Sequence, residues 1–418
     1  MGFLLRVMPH LDIRDEIKVF EEGVVDLISR DELEKKIVLS RKNQKPLRIK
    51  YGADPSSPDL HLGHTVPLRK LRALQELGHR IIFLVGDFTA RIGDPSQQSE
   101  TRRMLTEMEV KVNAETYQKQ VFKILDSSRT EVVYNADWLA KLTPADFLTL
   151  TAKYTVARLL ERDDFKKRFE SKQPIVLLEF LYPLLQGYDS VVLRSDVELG
   201  GTDQKFNLLV GRELQRDYGQ EPQIVITLPI LEGTDGIRKM SKSLGNAIGV
   251  REPAKDMFGK VMSIPDALMF PYFSYFTRVV ASEISAMRKA HEKGEAHPRD
   301  LKVRLAKEIV TLYHSRETAE KAAAEFDKIF RGGGMPDEIQ EVAIDSGKLI
   351  GGKMDILTLL QESGLTATKS EARRLIQQGG VKINQKKIEN EKEQVSLGRE
   401  DLVVQCGKRR FAKVRVRS

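Results

Sequence analysis

The sequence has almost no cysteine, and it lacks the long apolar runs of membrane proteins. Cys406 is the single cysteine among 418 residues, which excludes an internal disulfide and a cysteine-rich zinc site and fits a reducing compartment. No apolar run approaches the roughly 20 residues that span a bilayer. The start, Met1 to Arg6, becomes charged too early for a signal peptide, and Arg6 stands where a myristoylation signal requires Ser or Thr. We therefore expect a cytoplasmic protein without membrane contact.

The composition is that of an ordinary folded protein, but its charge is unevenly distributed. Hydrophobic residues make up 41% of the chain and charged residues 31%, which excludes a disordered protein. Residues 354–418 contain 14 Lys and Arg against 8 Asp and Glu, and so carry most of the net charge of +8. A basic excess in a small terminal segment predicts contact with phosphates, most simply those of a nucleic acid.

Short apolar runs alternate with helical patterns along the first part of the chain. The runs Leu47–Tyr51, Ile81–Val85, Val132–Tyr134 and Ile224–Ile226 are typical of strands, and the last three of strands buried on both faces. A helical pattern opens the chain over Ile13–Glu34. Strand–helix alternation predicts an α/β fold with a doubly wound, Rossmann-like parallel sheet.

Changes of pattern divide the chain into four predicted regions. A catalytic α/β domain covers 1–250, with a charged helical insertion at about 105–190 whose apolar residues suit either a subunit interface or core packing. An all-helical domain follows over 251–335, and residues 336–353 are interpreted as a linker because they are rich in Gly and acidic residues. Residues 354–418 restart as two helices and short strands, which predicts a small α+β domain.

The first stretch that points to chemistry is Asp59-Leu60-His61-Leu62-Gly63-His64, between a predicted strand and a predicted helix. Backbone N–H groups at such a junction attract phosphate oxygens. Gly63 lets a purine approach the backbone, and two imidazoles three residues apart can donate to one phosphate group. A capping pair, or a metal pair with a third ligand elsewhere, is the structural alternative.

The second stretch, Lys239-Met240-Ser241-Lys242-Ser243, lies in a loop with glycines on both sides. Lysines in a mobile loop can follow the charge that collects on departing pyrophosphate when a carboxylate attacks the α-phosphate of ATP. A solvated basic turn is the structural alternative. With the two stretches taken together, the sequence predicts an ATP site that activates a carboxylate.

These two stretches resemble the signatures of class I aminoacyl-tRNA synthetases, and their surroundings resemble the tyrosyl-tRNA synthetase family in its bacterial form. The resemblance runs over the whole chain. It covers Gly86 to Ser96, Tyr182 to Asp189 and Gly200 to Gln204, and from Thr368 onward the chain is similar to an S4 RNA-binding domain. What it implies is a homodimeric enzyme that uses ATP, L-tyrosine and tRNA(Tyr), with Mg²⁺ accompanying ATP and no metal ligands from the protein.

The resemblance also assigns residues to roles. It implies that the tyrosine substrate is held by Asp94, Tyr182, Gln186, Asp189, Gln204 and Tyr51, with Asp189 accepting from the phenol and Asp94, Tyr182 and Gln186 taking the α-ammonium. ATP would be held by Asp54, Ser56, Gly63, Gly201, Asp203 and Met240, and catalysis would use His61, His64, Lys239, Lys242, Ser243 and Arg102. Acceptor oxygens suit an ammonium group, and a buried acceptor for the phenol would reject phenylalanine. Taken singly, Asp94 could be a turn residue and Asp189 a helix cap.

Two positions depart from the family pattern. The family commonly carries a tyrosine for the phenol two residues before Gly52, where this chain has Lys50, followed by Tyr51. Many relatives carry a lysine on the pyrophosphate side where this chain has Gln97-Gln98-Ser99, which leaves Arg102 as the expected cation.

In the C-terminal segment, cations at helical spacing and in the following turn predict an RNA-backbone contact, with solvated helix charge as the alternative. The residues are Lys369, Arg373, Arg374, Lys382 and Lys386.

The resemblance thus implies a tyrosine–tRNA ligase activity. Three alternatives remain at this point: tryptophan activation, a nucleotidyltransferase that uses H-x-G-H without tRNA, and a non-catalytic RNA-binding protein.

Overall fold

A computed structural model describes residues 11–55, 59–94, 106–331, 339–398, 401–407 and 410–417. The described residues form two compact units. The first consists of the residues up to Glu252 together with Lys260–Leu305, and the second of Pro253–Gly259 together with the residues from Ala306 onward. The predicted boundaries at 250 and 335 stay a prediction, because the helical region between them is shared by the two units.

The first unit is built on a six-stranded sheet in the order β1-β6-β5-β2-β3-β4. All neighbours pair in parallel except β1, which runs antiparallel to β6. The order reverses on either side of β2, which marks the crevice beside its carboxyl end as the place for a ligand. The strands are β1 Asp26–Ile28, β2 Arg48–Ala53, β3 Arg80–Val85, β4 Thr130–Tyr134, β5 Val197–Gly201 and β6 Ile224–Leu228.

Helices connect these strands and continue beyond them, which confirms the doubly wound α/β fold and the helical stretches after it. They are α1 Ile13–Glu21, α2 Arg30–Lys42, α3 Leu62–Glu76, α4 Thr89–Ile92, α5 Glu107–Val121, α6 Ala136–Leu139, α7 Pro144–Thr151, α8 Val156–Leu159, α9 Asp163–Glu170, α10 Leu177–Leu193, α11 Lys205–Asp217, α12 Ala254–Met262, α13 Met269–Phe276, α14 Ala281–Glu292, α15 Pro298–Tyr313 and α16 Arg316–Arg331. No helix in the described part of the chain is long and apolar enough to cross a membrane.

The apolar runs form the sheet, with two differences from prediction. Residues Ile81, Ile82 and Phe83 of β3 are fully buried, as is the whole of Ile224–Ile226. Strand β4 is half-exposed along its length because it is the edge of the sheet and has a neighbour on one side only. The predicted opening helix is in fact two helices, since Gly23 adopts a left-handed φ of +68° after α1 and the chain then adds β1 to the sheet.

The C-terminal part of the second unit contains a five-stranded sheet in the order β10-β9-β12-β13-β7 and a two-stranded sheet of β8 and β11. Two helices pack with these sheets around a core that includes Ile356, Leu359, Leu360 and Val404. Strand β7 pairs in parallel with β13, although its residues fall within the segment interpreted as a linker, 336–353. The sequence did not reveal this strand, because β7 is an edge strand whose side chains are mostly exposed and therefore form no apolar run. The elements are β7 Gln340–Asp345, β8 Lys353–Asp355, α17 Ile356–Glu362, α18 Lys369–Gln377, β9 Val381–Ile383, β10 Lys386–Lys387, β11 Gln394–Ser396, β12 Leu402–Cys406 and β13 Arg410–Arg417.

Candidate functional site

A cavity of about 610 Å³ opens at the carboxyl ends of β2 and β5, where the strand order reverses. It brings together all the described residues that the sequence assigned to catalysis, tyrosine or ATP. Arg102 and Ser56 lie outside the described residues. Those lining the cavity are His61, His64, Lys239, Lys242, Ser243, Asp94, Tyr182, Gln186, Asp189, Gln204, Tyr51, Asp54, Gly63, Gly201, Asp203 and Met240.

The two histidines stand at the start of α3 with their ring centroids 3.8 Å apart. The backbone N–H of His61 donates to Nδ1 of His64 at 3.2 Å, so the Nε2 of a neutral His64 carries the proton. Burial lowers the pKa of His61 to about 2 and of His64 to about 4, with the charges of Lys242 and Lys239 adding to the effect at His61. Both rings are therefore neutral N–H donors at neutral pH, not cations.

The first and second motifs are in direct contact across the cavity. The backbone N–H of Gly63 donates to Sδ of Met240 at 3.3 Å, although 177 residues separate them in sequence. A Cβ at position 63 would lie 3.0 Å from Cε1 of His61, so glycine makes room for the imidazole. Nδ1 of His61 is buried and has no hydrogen-bond partner in the described part of the chain. An unpaired buried nitrogen at this point favours a ligand that supplies the partner.

Asn246 organises the lysine loop, which we define as residues 231–246. Its Oδ1 accepts from the backbone N–H of Ser241 at 2.8 Å, and its Nδ2 donates to Asp235 and to the carbonyls of Arg238 and Lys239. Its side chain is buried, with 3% of the residue exposed. One amide thus fixes the backbone on both sides of Lys239 and holds the motif over the cavity.

Two carboxylates face the lysines of this loop. Nζ of Lys242 lies 3.2 Å from Oδ2 of Asp59, and Nζ of Lys239 lies 4.0 Å from Oδ2 of Asp203. Burial raises the pKa of Asp203, and the charge of Lys239 partly offsets this. The lysines are more than a third exposed, so these pairs are weak and can yield to phosphate oxygens.

A hydrogen-bonded chain of side chains connects three residues assigned to the amino acid. Nε2 of Gln204 donates to Oδ2 of Asp94 at 2.6 Å. Nδ2 of Asn207 donates to Oε1 of Gln186 at 2.9 Å and to Oε1 of Gln204 at 3.2 Å. Arg162, which is 5% exposed, donates to Asn207 and lies 3.6 Å from Asp94. The network fixes acceptor oxygens at one end of the cavity.

Tyr182 and Asp54 form a second buried pair in the cavity. The hydroxyl of Tyr182 donates to Oδ2 of Asp54 at 2.8 Å, and Oγ1 of Thr89 donates to Oδ1 at 2.8 Å. Burial raises the pKa of Asp54 to about 7 although both hydrogen bonds oppose the shift. Because Tyr182 uses its proton on Asp54, its oxygen is left to accept from a substrate. A Cβ at Gly86 would lie 2.0 Å from Oδ1 of Asp54, so the pair requires glycine there.

Asp189 lies on α10 and is 1% exposed. Nε1 of Trp138 donates to its Oδ1 at 2.8 Å, and Nδ2 of Asn135 donates to its Oδ2 at 3.2 Å. Burial raises the pKa of Asp189 to about 7, against the lowering effects of Lys50, Trp138 and Asn135. The carboxylate is thus oriented by two donors and retains lone pairs for a third.

Lys50 and Tyr51, where the sequence departs from the family pattern, point in different directions. Lys50 is fully buried, is not among the residues that line the cavity, and pairs with Glu198, which is one of them. Tyr51 lines the cavity, where its ring lies 6.0 Å from that of Phe83, and burial followed by the charge of Asp203 raises the pKa of its phenol. Successive strand residues face opposite sides of a sheet, which explains the separation.

The five predicted RNA-binding residues are exposed in the second unit. Lys369, Arg373 and Arg374 lie on α18, and Lys382 and Lys386 on the β9–β10 hairpin. The hairpin turn uses Asn384 and Gln385 at φ of 45° and 68°, a conformation that matches the twist of paired strands. The structure therefore places these cations on α18 and on the hairpin that follows it in the sequence.

The sequence reasoning missed the residues that hold the named ones in place. They come from distant segments, and spacing in the sequence carries no record of their contacts. Two signals were available: Trp138 is the single tryptophan of the chain and follows a strand, and Asn207 comes three residues after Gln204. The missed residues are Thr89, Asn135, Trp138, Arg162, Glu198, Asn207 and Asn246.

Comparison with known proteins identifies the family of the chain. The family model described as tRNA synthetases class I (W and Y) matches residues 42–331, and the S4 domain model matches residues 356–401. A tyrosine–tRNA ligase of Carboxydothermus hydrogenoformans is 53% identical over 407 residues, 97% of this chain and 99% of that protein. That of Haemophilus influenzae is 51% identical over 405 residues, 97% of this chain and 98% of that protein.

Solved structures show the same fold. The tyrosyl-tRNA synthetase of Archaeoglobus fulgidus, complexed with L-tyrosine, has a TM-score of 0.60 and 24% identity, over 75% of this chain and 100% of that chain. A C-terminally truncated mitochondrial tyrosyl-tRNA synthetase of Aspergillus nidulans has a TM-score of 0.61 and 23% identity, over 75% of this chain and 94% of that chain. The chain therefore belongs to the class I tRNA synthetases for tryptophan and tyrosine, and within them to the tyrosine–tRNA ligase family.

Proposed function

We infer that the chain is a tyrosine–tRNA ligase. The carboxylate of tyrosine attacks the α-phosphate of ATP and pyrophosphate leaves. A ribose hydroxyl of the tRNA 3′-terminal adenosine then takes the tyrosyl group and AMP leaves. The observation that carries this inference is a single cavity that unites the histidine motif, the lysine loop and the acceptors Asp94, Tyr182 and Asp189. Catalysis of this kind depends on positioning and on stabilising charge, and it needs no protein nucleophile.

We propose that the nucleotide occupies the half of the cavity between α3 and the lysine loop. His61 and His64 are neutral donors for phosphate oxygens, and Gly63 with Met240 provides a surface for the purine. Asp203 and Gly201 face the ribose, because both line the cavity at the carboxyl end of β5. Lys239, Lys242 and Ser243 follow the departing pyrophosphate once they exchange Asp203 and Asp59 for phosphate oxygens.

We propose that tyrosine occupies the other half. Asp94, Gln186 and the oxygen of Tyr182 accept from the α-ammonium, and Gln204 orients Asp94 through their hydrogen bond. The hydrogen bond from the hydroxyl of Tyr182 to Asp54 supports a second role for Asp54, in addition to its predicted contact with ATP: it orients the oxygen of Tyr182. Asp189 accepts from the phenol. Tyr51 also lines the cavity and remains a predicted contact of the tyrosine substrate.

Tryptophan activation is the competing reaction within the same family. A tryptophan side chain would offer Asp189 an indole N–H in place of a phenol. The relatives named above, at 51% and 53% identity, are tyrosine–tRNA ligases, which favours tyrosine. The HxGH nucleotidyltransferase and the non-catalytic RNA-binding protein are disfavoured by the lysine loop together with the S4 match.

Mutation of one residue in each motif tests the shared site. Tyrosine-dependent ATP–pyrophosphate exchange is measured for wild type, His64→Ala and Lys242→Ala. Loss of an N–H donor or an ammonium group at the transition state lowers kcat by about 10²–10³-fold. Val25→Ala, 56% exposed and far from both motifs in sequence, is the control and retains wild-type exchange. Exchange that survives both cavity substitutions would contradict the assignment.

We propose that tRNA contacts the exposed cations of α18 and the β9–β10 hairpin, namely Lys369, Arg373, Arg374, Lys382 and Lys386. The match of residues 356–401 to the S4 domain supports this contact.

We propose that Mg²⁺ enters with ATP, because hard cations of this kind bind phosphate oxygens and water. We also propose a cytoplasmic location, which the charging of tRNA for translation supports.

We propose that the protein is a homodimer through its helical insertion. Apolar side chains there are widely exposed, with Leu148 at 72%, Phe169 at 64% and Leu177 at 74%. Exposed apolar side chains on three helices of one insertion, α7, α9 and α10, favour an interface over a solvated surface. A second copy of this chain is the occupant. Leu148→Asp/Leu177→Asp is expected to sediment as a monomer at micromolar concentration, and a stable dimer of this variant would exclude the interface.

A further inference from the structure

Lys50 is a buried lysine that contacts Glu198 and Gln186, two residues that line the cavity. Its side chain is 0% exposed, that of Glu198 is 2% exposed, and Nζ lies 2.8 Å from Oε1 of Glu198. The two residues face each other in the parallel pairing of β2 with β5. Removing one charge of such a pair leaves the other buried without a counter-charge, so the two residues depend on each other.

The ammonium group of Lys50 also ties the sheet to helix α10. It donates to the backbone carbonyl of Gln186 at 3.1 Å and to Oγ of Ser190 at 2.8 Å. With Glu198 as the third acceptor, all three of its protons are used. Gln186 and Ser190 are one helical turn apart, and Asp189 lies between them in sequence. Lys50 therefore fixes the turn of α10 that presents Asp189 to the cavity.

Glu198 completes this cluster from the other side. Its Oε2 accepts from Oγ of Ser190 at 2.9 Å and from Nε2 of Gln223. Neither carboxylate oxygen of Glu198 is left unpaired, and Ser190 both accepts from Lys50 and donates to Glu198. The cluster is thus a closed hydrogen-bond network that supports the floor of the tyrosine half.

Lys50 acts on the charge of Asp189 as well as on its position. Among the groups that lower the pKa of Asp189, Lys50 is the largest, whereas burial and Glu198 raise it. The charged and titratable groups that face Asp189 are Lys50 on β2, Asp54 just after β2, Glu198 on β5, and Tyr182 on its own helix. Lys50 is the cation of this set.

We propose that Lys50 is a positioning and specificity-determining residue for tyrosine, which holds α10 in place and keeps Asp189 an acceptor for the phenol. The inference rests on the proposed function. An ionised Asp189 gains a hydrogen bond from tyrosine, and with phenylalanine it keeps a buried charge without that partner. Protonated Asp189 discriminates less, because it meets the apolar ring without a buried charge.

Two single substitutions test the proposal because they move the charge near Asp189 in opposite directions. Lys50→Met is expected to raise the KM for tyrosine about 10–100-fold, to leave the KM for ATP within about twofold, and to lower the tyrosine-to-phenylalanine ratio of kcat/KM at least about 10-fold. It shifts the acid limb of the kcat/KM profile for tyrosine to higher pH. Glu198→Gln shifts the same limb to lower pH and retains the ratio.

The double variant Lys50→Met/Glu198→Gln covers the case in which Lys50→Met does not fold. It removes both charges together and so leaves no unpaired buried charge, a change that folded proteins tolerate better than loss of one partner. Thermal denaturation verifies the fold. It still lacks the bonds to Gln186 and Ser190, so its KM for tyrosine stays raised as in Lys50→Met.

A purely structural role for Lys50 predicts lower activity at every pH, no movement of the acid limb and an unchanged tyrosine-to-phenylalanine ratio, and that result would overturn the proposal. Absence of tyrosine-dependent exchange in the wild type would instead overturn the proposed function. The two failures are therefore distinguishable.

Discussion

Individual residues in this site owe their chemistry to burial more than to their own type. Asp54 and Asp189 have a pKa near 7, while His61 and His64 have pKa values of about 2 and about 4. Burial disfavours the charged form of a group, so it raises the pKa of a carboxylic acid and lowers the pKa of an imidazole. The carboxylates, and not the histidines, are therefore the groups that titrate near neutrality.

This ordering predicts the pH dependence of tyrosine use. The acceptors Asp54 and Asp189 are ionised above pH 7 and become protonated below it, so kcat/KM for tyrosine falls as pH decreases from about 8 to about 6. The measurement is the pH profile of pyrophosphate exchange at limiting tyrosine. A profile that stays flat down to pH 5 would refute the assignment of these carboxylates.

Trp138 offers a second prediction at this scale. Trp138→Phe removes the indole donor 2.8 Å from Asp189, so the carboxylate loses part of its orientation. Loss of one hydrogen bond to a charged group is worth about 1.5–3 kcal/mol, which raises the KM for tyrosine about 10–100-fold. Steady-state exchange measures this, and the KM for ATP serves as the internal control. An equal rise in both constants would indicate general damage instead.

The named residues could be predicted from the sequence, whereas their partners could not. His61 and Lys242 lie in short motifs whose composition and spacing point to phosphate binding, and Asp189 lies in a stretch that resembles the amino-acid pocket of the family. Lys50 was visible only as a departure from a pattern, because its contacts with Glu198 and Ser190 depend on strand pairing and on a helix that follows 140 residues later.

At the scale of elements, the lysine loop is an example of structure imposed by one side chain. Residues 231–246 contain several glycines and little secondary structure, yet Asn246 gives this loop a defined course. The sequence predicted a mobile basic loop, and it could not show that a buried amide five residues beyond Ser241 holds it.

Asn246→Ala is expected to slow adenylate formation with little effect on tyrosine binding. The variant releases the backbone around Lys239 and Ser241, so the lysines no longer meet the departing pyrophosphate in position. Misplacement of this size costs about 10²-fold in kcat. Rapid-quench measurement of tyrosyl-adenylate detects the change. Ile237→Ala in the same loop, at a residue 84% exposed, is the matched control and keeps the wild-type rate.

Strands and helices were predicted best where their pattern was strongest. The continuous run Ile81–Val85 became β3, whereas Asp26–Ile28 and Gln340–Asp345 were missed because short edge strands bury few side chains. Gly23 ended a helix that the apolar pattern alone would have continued.

At the scale of the whole molecule, the residues proposed for activation and those proposed for RNA contact lie in different parts of the chain. The cavity is built from residues of the first unit, and the cations proposed for RNA belong to the second. Substitutions in the second unit should therefore affect the tRNA step and leave amino-acid activation unchanged.

Arg374→Ala/Lys382→Ala tests this division. The variant is expected to weaken tRNA binding, and to reduce the slope of log affinity against log salt by about 1.5, since each phosphate contact contributes roughly 0.7–0.9. Pyrophosphate exchange stays at the wild-type rate. Lys413→Ala/Arg415→Ala removes the same charge from β13, where both side chains pair with Glu341 and Asp401, and serves as the control. Equal slopes in the two variants would show that general charge, not this surface, binds RNA.

Amino-acid selection in ATP–pyrophosphate exchange tests the central claim most directly. The purified full chain is assayed with ATP, Mg²⁺ and pyrophosphate, and with tyrosine, tryptophan or phenylalanine in turn. The buried acceptor Asp189 and the family of the chain predict exchange with tyrosine, at a kcat/KM about 10⁴–10⁵-fold above that for phenylalanine. Exchange driven by tryptophan and not by tyrosine would contradict the account.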